Sequence, residues 1–416
     1  MTDPILAVDF GTSNSAAAIL QNGQPRRLHV EQDADTLPTA VFFPDDHPAM
    51  LIGRDAARAL IDGEEGRYMR ALKSVLGTRL FHEKRLIGKT RRTLADIVTA
   101  FLIRLRTTAE AQTGMTFKRV ISGRPVAFHT ADPDRDAKAE ADLRACYHAA
   151  GFQEVVFMLE PEAAALASQH GQPRAETGLI VDIGGGTSDF TVYRSHDDRT
   201  VPLDILASHG IRLGGTDFDH ALSMAQAMPL LGLGGTLRRA FGDGLLPVPR
   251  ALYVDLSTWA KIPFVYGPET ERQVVDMSRH ASTPAPFARL SRVIKEQLGH
   301  ELAFAVESGK IAANAHADDA AIAMGFIEPG LSQRVNRGAL NAALAPYREA
   351  LRIAMFETLK QAGIAPSDLD AVVLVGGSSL MDMIEEEAQA IAPHAALRRS
   401  DAFTAVIDGL ALATAR

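Results

Sequence analysis

The stretch Val181-Asp182-Ile183-Gly184-Gly185-Gly186-Thr187-Ser188-Asp189 decides the fold, because the chain carries a second version of it. That version is Val8-Asp9-Phe10-Gly11-Thr12-Ser13-Asn14-Ser15. In both, a short apolar run ends at an aspartate, passes through glycine and small hydroxylated residues, and continues into another apolar run. The two aspartates lie 173 residues apart. A repeat at that distance predicts two related lobes rather than a solenoid of short units.

The composition of these two loops is suited to binding phosphate. Glycine and small hydroxylated residues let backbone N–H groups approach a phosphate closely. Because Mg²⁺ on phosphates keeps several waters, Asp9 and Asp182 at the strand ends are predicted to hold one Mg²⁺ through its waters. A single glycine turn would indicate only a hairpin, whereas two matched copies with leading aspartates predict a shared phosphate site. No complete P-loop, strand-linked G-x-G-x-x-G or zinc motif competes with this prediction.

Strand and helix patterns alternate along the chain, which predicts an α/β protein. Predicted strands are 5–9, 15–20, 26–30, 120–122, 155–159, 179–182, 190–193, 203–207 and 372–375. Two apolar stripes at helical spacing are predicted to be core: Leu94, Ile97, Val98, Phe101, Leu102 and Leu105, and Leu340, Leu344, Tyr347, Leu351, Met355 and Leu359 before Gly363. The segment 229–289 holds seven of the 21 prolines and is predicted to be part of an irregular inserted subdomain.

Bulk properties exclude several function classes. A net charge of −8 argues against nucleic-acid binding through bulk charge. The single cysteine, Cys146, excludes an internal disulfide and is predicted to be a buried, inert thiol. No signal peptide and no apolar run long enough to span a membrane is apparent, so a cytoplasmic location without membrane or nucleic-acid partners is expected.

Five motifs, in order, resemble the actin-like ATPase superfamily and in particular the DnaK-type heat-shock chaperones. They are the first phosphate loop (residues 7–15), the glutamate–proline element Leu159-Glu160-Pro161-Glu162, the second phosphate loop (181–189), Leu213-Gly214-Gly215-Thr216-Asp217-Phe218-Asp219, and the adenosine-side loop Val373-Leu374-Val375-Gly376-Gly377-Ser378-Ser379. Together they cover essentially the whole chain. We expect the protein to lack the family's usual β-rich substrate-binding domain and helical lid, and in this respect it most resembles the YegD-type branch.

The resemblance implies a two-lobed actin-like ATPase fold with duplicated ribonuclease-H-like subdomains, each carrying an inserted subdomain. Lobe I would span 1–175 with its insert at about 37–114. Lobe II would span 176–416 with its insert at about 217–310 and a C-terminal helix returning towards lobe I. Slow hydrolysis of ATP to ADP would drive closure of the lobes in a chaperone-like protein without its own peptide-binding domain.

The resemblance also implies roles for individual residues. Asp9 and Asp182 would hold the Mg²⁺ waters, Glu160 and Thr187 would position the attacking water, and Asp189 would lie nearby, beside a monovalent cation such as K⁺. The phosphates would contact Gly11, Thr12, Ser13, Gly184, Gly185, Gly186 and Thr187. The nucleoside would be lined by Gly214, Gly215, Glu307, Lys310, Gly376, Gly377 and Ser378.

The lysine that the family places at the γ-phosphate has two candidates. Lys84 in Lys84-Arg85-Leu86-Ile87-Gly88 is closer to the family's usual sequence at this position. Lys73 lies at a more suitable distance along the sequence from Asp9, and its Lys-Ser-x-Leu-Gly resembles the YegD-type branch. We prefer Lys73. Ile311 and Leu380 stand where DnaK-type proteins usually have arginines around adenine, which predicts altered adenine contacts.

Two other functions use the same loops. An actin-like filament protein would couple ATP to polymerisation, and a small-molecule kinase would transfer the phosphate to a substrate other than water. Leu213–Asp219 favours the chaperone-like interpretation over the filament, and no separate substrate-side base supports the kinase. The expected partner is a protein client or co-chaperone of unknown identity, bound by a monomer.

Overall fold

The structure is a computed structural model of the 416-residue chain. It describes residues 3–46, 49–87, 89–129, 132–168, 175–196, 204–239, 242–259, 261–262, 265–399 and 404–415. Leu203, in one predicted strand, and Gly88, in the Lys84 motif, lie outside the described residues.

Strands in the described residues are short and concentrated around the two phosphate loops. They are β1 (Ile5–Phe10), β2 (Asn14–Gln21), β3 (Gln24–Arg27), β4 (Thr36–Pro38), β5 (Ala40–Pro44), β6 (Leu51–Ile52), β7 (Gly66–Arg70), β8 (Arg85–Ile87), β9 (Thr90–Arg92), β10 (Arg119–Arg124), β11 (Glu154–Leu159), β12 (Glu176–Ile183), β13 (Ser188–Ser195), β14 (Asp204–Ile211), β15 (Thr236–Arg238), β16 (Leu245–Pro247), β17 (Ala321–Ala323), β18 (Ser332–Arg334), β19 (Ala371–Val375) and β20 (Ala396–Arg399).

Helices fill the intervals between the strands. They are α1 (Arg54–Ile61), α2 (Leu94–Thr113), α3 (Pro133–Ala149), α4 (Glu160–Ser168), α5 (Gly215–Leu222), α6 (Ala251–Leu256), α7 (Pro268–His280), α8 (Pro284–Lys295), α9 (Gly299–Asn314), α10 (Arg337–Ala362), α11 (Asp382–Ile391) and α12 (Ala405–Ala413). In the described part of the chain, no helix is both long enough and apolar enough to cross a membrane.

The two largest sheets have the same topology, which confirms the duplication predicted from the loops. One sheet has the order β11-β10-β1-β2-β3, with β4 also on β2, and the other has the order β14-β13-β12-β19-β20. In each, a central strand pairs antiparallel with the next strand in sequence and parallel with a strand that arrives much later. Each phosphate loop is the turn between the central strand and its antiparallel neighbour.

The chain divides into two compact units. Unit 1 comprises residues 1–212, 351–380 and 384–416, and unit 2 comprises 213–350 and 381–383. Both large sheets belong to unit 1, where Ala7, Ala164, Ile180 and Leu410 share one core cluster. The predicted lobe boundary at 175/176 lies inside unit 1 and stays a prediction.

Helix α2 packs on the first sheet of unit 1 as its apolar stripe predicts. Leu94, Ile97, Val98, Phe101, Leu102 and Leu105 are all buried. Thr93 caps the helix, because its side chain accepts from Asp96 N while the Asp96 carboxylate accepts from Thr93 N. The predicted core face of α2 is therefore confirmed.

In α10 the predicted stripe is confirmed for five of its six members, since Leu340, Leu344, Leu351, Met355 and Leu359 are buried and Tyr347 is half-buried. Gly363 follows the helix at φ 66°, a left-handed conformation that glycine adopts without strain. The structure differs from prediction at β3, which ends at Arg27 rather than continuing to Val30.

The prediction that segment 229–289 is irregular is wrong for most of its described residues. This part of unit 2 contains α6, α7, the first half of α8 and the hairpin β15–β16. Pro268 and Pro284 are the first residues of α7 and α8. Proline is favoured at that position because its φ is already helical and its missing N–H would have no partner inside the helix. The prolines therefore begin helices here instead of breaking them.

Cys146 in α3 is a buried thiol, as the sequence predicts. Burial raises the pKa of the thiol to about 11. Because the thiolate is the reactive form, we expect native protein at pH 8 to react with an aromatic disulfide reagent at least about a hundredfold more slowly than urea-unfolded protein. Stopped-flow absorbance measures both rates, and equal rates would contradict the burial of Cys146.

Candidate functional site

The two phosphate loops approach each other closely within unit 1, at their turn residues 11–13 and 184–187. A Cβ atom added at Gly185 would lie 2.4 Å from Ser13 Oγ, so a larger residue there would require the Ser13 hydroxyl to move. A Cβ at Gly11 would lie 2.1 Å from the carbonyl oxygen of Asn14. Gly184 N donates to Thr187 O at 3.0 Å and closes the second turn. Of the glycines that were predicted to admit phosphate, Gly11 and Gly185 are therefore also closely packed, whereas a Cβ at Gly184 or Gly186 would meet no atom closer than 3.6 Å.

Four carboxylates gather beside these loops, and we call Asp9, Glu160, Asp182 and Asp189 the acidic cluster. Asp9 lies at the end of β1 and Asp182 at the end of β12. Asp189 lies opposite Asp182 in the β12–β13 hairpin. Glu160 is the first residue of α4 and follows directly after β11. Asp9 and Asp182, which occupy equivalent positions in the two copies of the motif, therefore lie in the same cluster.

Lys73 is the cation that contacts this cluster. Its Nζ lies 2.5 Å from Glu160 Oε1, and its side chain is 8% exposed. Burial by itself lowers the pKa of Lys73, but the charges of Glu160 and Asp9 outweigh burial, so the pKa is raised and the amine stays protonated. Lys84, the alternative, is exposed just before β8. The geometry favours Lys73, while its role at a γ-phosphate stays a prediction.

The acidic cluster holds more negative charge than Lys73 can neutralise. Burial, and then repulsion by Glu160, raises the pKa of Asp9 to about 7 and that of Asp189 to about 7. The same two causes, in the same order, raise the pKa of Asp182 well above its usual range. A buried site with this excess of carboxylate favours a bound cation, because the cation would stabilise the ionised forms.

The chemistry of the acidic cluster fits a hydrated Mg²⁺. Within the described residues, no three His, Cys, Asp or Glu side chains are arranged to ligate a metal ion directly. Mg²⁺ at phosphate sites keeps several of its waters and takes few ligands from the protein. Asp9 and Asp182 would hold those waters, and the role of Asp189 beside a monovalent cation stays a prediction.

The adenosine-side loop of unit 1 packs against the second phosphate loop. Gly376 has φ 83°, and a Cβ there would lie 2.5 Å from Ile183 O and 2.6 Å from Asp182 Oδ1. Gly377 and Ser378 begin the short 3-10 segment that follows, Gly377–Leu380. The Leu380 side chain is exposed at the end of this segment. Gly376 therefore joins the predicted base side of the site directly to a carboxylate of the acidic cluster.

The predicted nucleoside residues of unit 2 lie at the start of α5 and on α9. Gly214 N donates to Asp217 Oδ2 at 2.9 Å, which caps α5. Lys310 is buried, and its Nζ lies 2.7 Å from Asp219 Oδ1. Glu307 is half-buried and Ile311 is exposed on the same helix. The Lys310–Asp219 ion pair was not predicted, and the role of Lys310 at a nucleoside stays a prediction.

Sequence reasoning also missed the residues that hold the segment carrying Lys73. Asp142 on α3 accepts hydrogen bonds from the segment, and His129 contacts its backbone. Nothing in the linear sequence links these positions, because they lie more than 50 residues beyond Lys73 and belong to no motif.

The duplicated sheets, the facing glycine loops and the lysine within the acidic cluster define an actin-like ATPase fold. The family model of the Hsp70 protein matches residues 5–227 and 295–415, and the chain therefore belongs to the Hsp70 family. Members of this family are ATPases that bind ATP or ADP with Mg²⁺. The unmatched residues, 228–294, coincide closely with the proline-rich segment of unit 2.

Proposed function

We propose that this chain binds ATP with Mg²⁺ and hydrolyses it to ADP and phosphate at the acidic cluster. The observation that carries the proposal is the ion pair of buried Lys73 with half-buried Glu160 beside two facing glycine loops. Buried charge of this kind is costly to maintain for stability alone, and strongly perturbed carboxyl groups gather at functional sites.

Each component of the site has a role in binding the phosphates. The backbone N–H groups of the phosphate loops donate to phosphate oxygens, since their glycines leave the backbone accessible. Lys73 neutralises charge on the γ-phosphate. Asp9 and Asp182 hold Mg²⁺ through its waters, and Mg²⁺ when bound adds further neutralisation of the phosphates.

Hydrolysis requires a water placed in line with the bond that breaks. Glu160 Oε1 is already bonded to Lys73, so Oε2 accepts a hydrogen bond from the attacking water, and Thr187 helps to orient it. The water oxygen bonds to the γ-phosphorus as the bond between that phosphorus and the bridging oxygen breaks, and ADP leaves with the bonding electrons. The proton of the water passes to a carboxylate of the acidic cluster. Positioning and charge neutralisation supply the catalysis.

The nucleoside side of the proposal rests on the family resemblance together with Gly376. Gly214, Gly215, Glu307 and Lys310 of unit 2 would contact ribose and base. Ile311 and Leu380 stand where the family usually has arginines, and each side chain is exposed, so neither position offers a guanidinium group to stack on adenine.

Three finer parts of the proposal rest on the resemblance alone. Nucleotide turnover would drive lobe closure in a chaperone-like cycle that involves a client or co-chaperone protein. K⁺ would assist at Asp189. The pattern Lys73-Ser74-x-Leu76-Gly77 supports placement in the YegD-type branch.

The close approach of the phosphate loops gives the proposal a sharp test. Gly185→Val would place a branched side chain against Ser13 Oγ, so Ser13 would have to move and the close approach of the two loops would be disturbed. We expect ATP affinity to fall at least about tenfold and turnover to fall with it, because the loop N–H groups no longer converge on the phosphates. Titration calorimetry with Mg²⁺-ATP and a phosphate-release assay measure the two quantities.

Gly325→Val is the matched control, since a Cβ at Gly325 in unit 2 meets no atom within 4 Å. It should leave both affinity and turnover unchanged. If folded Gly185→Val keeps wild-type affinity and turnover, the phosphate loops do not bind the phosphates of ATP as proposed.

A further inference from the structure

The segment that carries Lys73 is an ordered loop, and we call residues 71–82 the lysine loop. It contains two short 3-10 segments, Leu72–Val75 and Arg79–His82. Leu72, Leu76 and Phe81 are buried in the core of unit 1. The loop backbone is therefore anchored on apolar side chains while Lys73 extends towards the acidic cluster.

The lysine loop has a left-handed residue on each side of the lysine. Ala71 has φ 58° and Gly77 has φ 75°. Ala71 adopts that conformation with a Cβ atom, which is uncommon outside glycine, asparagine and aspartate. Ala71 O accepts hydrogen bonds from Ser74 N and Ser74 Oγ, at 3.0 and 2.7 Å. The backbone around Lys73 is thus held in a conformation that local preference alone would not select.

Gly77 sits directly against helix α3. A Cβ at Gly77 would lie 2.5 Å from Arg135 O and 3.2 Å from Ala139 N, so the loop backbone touches the helix backbone here. His129, which precedes α3, reinforces this contact, because its Nε2 lies 2.8 Å from Leu76 O. The second half of the lysine loop is therefore fixed to α3 and to the segment before it.

Asp142 is the charged group at the centre of this contact. Its carboxylate is buried within α3, with Oδ2 accepting from Gly77 N at 3.0 Å. Its Oδ1 lies 2.8 Å from His82 Nε2. One carboxylate thus bridges two points of the lysine loop that are five residues apart.

We propose that Asp142 is a positioning residue that holds the lysine loop on α3 and so fixes Lys73 against Glu160. The proposal rests on the proposed function, since it assigns Lys73 to the reaction. Asp142 contacts neither Lys73 nor the acidic cluster in the described structure, and it is absent from the charges that shift the pKa of Lys73. It acts through the backbone of the loop rather than through its charge.

Lys73 must be positioned precisely if it is to act on a phosphate. An ammonium group neutralises a phosphate only at short range, and a displacement of about 1 Å at such a group can lower a rate by about a hundredfold. Leu72 and Leu76 anchor the loop through apolar packing, which is non-directional. The Asp142 hydrogen bonds add the directional restraint, which limits how far the Lys73 backbone can rotate.

The test measures kcat and KM for ATP in Asp142→Ala, alone and combined with Lys73→Ala. We expect kcat to fall about tenfold to a hundredfold in Asp142→Ala, with KM changed less than about threefold, because the lysine acts mainly on the transition state. In the Lys73→Ala background the same substitution should have no further effect on kcat. Such non-additivity is the signature of two residues that act through one another.

Two further variants separate positioning from general stability. Glu140→Ala on α3 removes ion pairs with Arg124 of β10 and with Arg144 of α3. Among the described residues, Glu140 has no ion pair with the lysine loop, so this variant should lower Tm and leave kcat unchanged. Asp142→Asn keeps an oxygen that can accept from Gly77 N, and should restore kcat to within about threefold of wild type.

If Asp142→Ala does not fold, His82→Ala carries the test, because the His82 side chain is 53% exposed. It should lower kcat by about two- to fivefold, and only where Lys73 is present. The inference is overturned if kcat is unchanged, or if the loss is equally large without Lys73. If Lys73→Ala itself retains full turnover, the proposed function fails; if Lys73→Ala is inactive while Asp142→Ala stays active, only the positioning role fails.

Discussion

Replacing Lys73 by alanine is expected to lower kcat for ATP hydrolysis by about a hundredfold to a thousandfold, the range seen when one preorganised charge-stabilising donor is removed. Lys73 is the cation placed in direct contact with Glu160, and it is buried. Without it, charge that develops on the phosphates during transfer has one fewer partner in a site already rich in carboxylates. A steady-state phosphate-release assay with saturating Mg²⁺-ATP measures the effect.

Lys84→Ala provides the matched control for this prediction. Lys84 is exposed, and it was the alternative candidate because its motif is similar to the family's sequence. Both variants remove one lysine from the same region of unit 1. Lys84→Ala should retain wild-type kcat. The reverse pattern, with Lys84→Ala inactive and Lys73→Ala active, would contradict the assignment of Lys73.

The second large effect is on the pH dependence of stability in Mg²⁺-free buffer. Asp9 and Asp189 have a usual pKa of 3.8, but in the folded protein burial and Glu160 raise both to about 7. Between these values the folded chain binds more protons than the unfolded chain. The free energy of unfolding therefore decreases as pH rises from about 4 to about 7, and levels off above the folded pKa.

Asp189→Asn should remove part of this decrease, because an amide does not ionise. At pH 7.5 in EDTA we expect Asp189→Asn to raise Tm by at least about 2 °C, which for domains of this size corresponds to roughly 1 kcal/mol. Calorimetry at pH 5.0, 6.0, 7.0 and 7.5 provides the measurement. Asp318→Asn, at an exposed aspartate of unit 2, should leave the pH profile unchanged.

Mg²⁺ should reverse the destabilisation at neutral pH. A bound cation favours ionised carboxylates, so adding Mg²⁺ at pH 7.5 should raise the Tm of the wild type. A wild-type Tm that is independent of pH between 5 and 7.5 and insensitive to Mg²⁺ would contradict both the raised carboxyl pKa values and the binding of a cation at the acidic cluster.

The convergence of Asp9 and Asp182 could be anticipated from sequence because it follows from duplication. Two copies of a strand–glycine turn–strand unit place equivalent residues at equivalent strand ends, and Glu160 joins them through a separate motif. The buried face of α2 could also be predicted from the sequence, since its apolar residues keep helical spacing over three turns.

Other features could not be read from the chain. Asp142 and Gly77 are 65 residues apart, and their hydrogen bond depends on how α3 packs beside the lysine loop. The Lys310–Asp219 pair joins a residue that was predicted to line the nucleoside to the last residue of the motif Leu213–Asp219. In segment 229–289, proline content indicated irregular chain, although Pro268 and Pro284 occupy the helix position that favours proline. Each of these features is set by tertiary neighbours and not by local pattern.

The most direct test of the central claim is the release of phosphate from ATP by the purified wild type and by Asp182→Ala, with Mg²⁺ and with EDTA. The wild type should release ADP and free phosphate in equal amounts, only with Mg²⁺, and folded Asp182→Ala should be at least about a hundredfold slower. Equal turnover by Asp182→Ala, or by the wild type in EDTA, would contradict ATP hydrolysis at the acidic cluster.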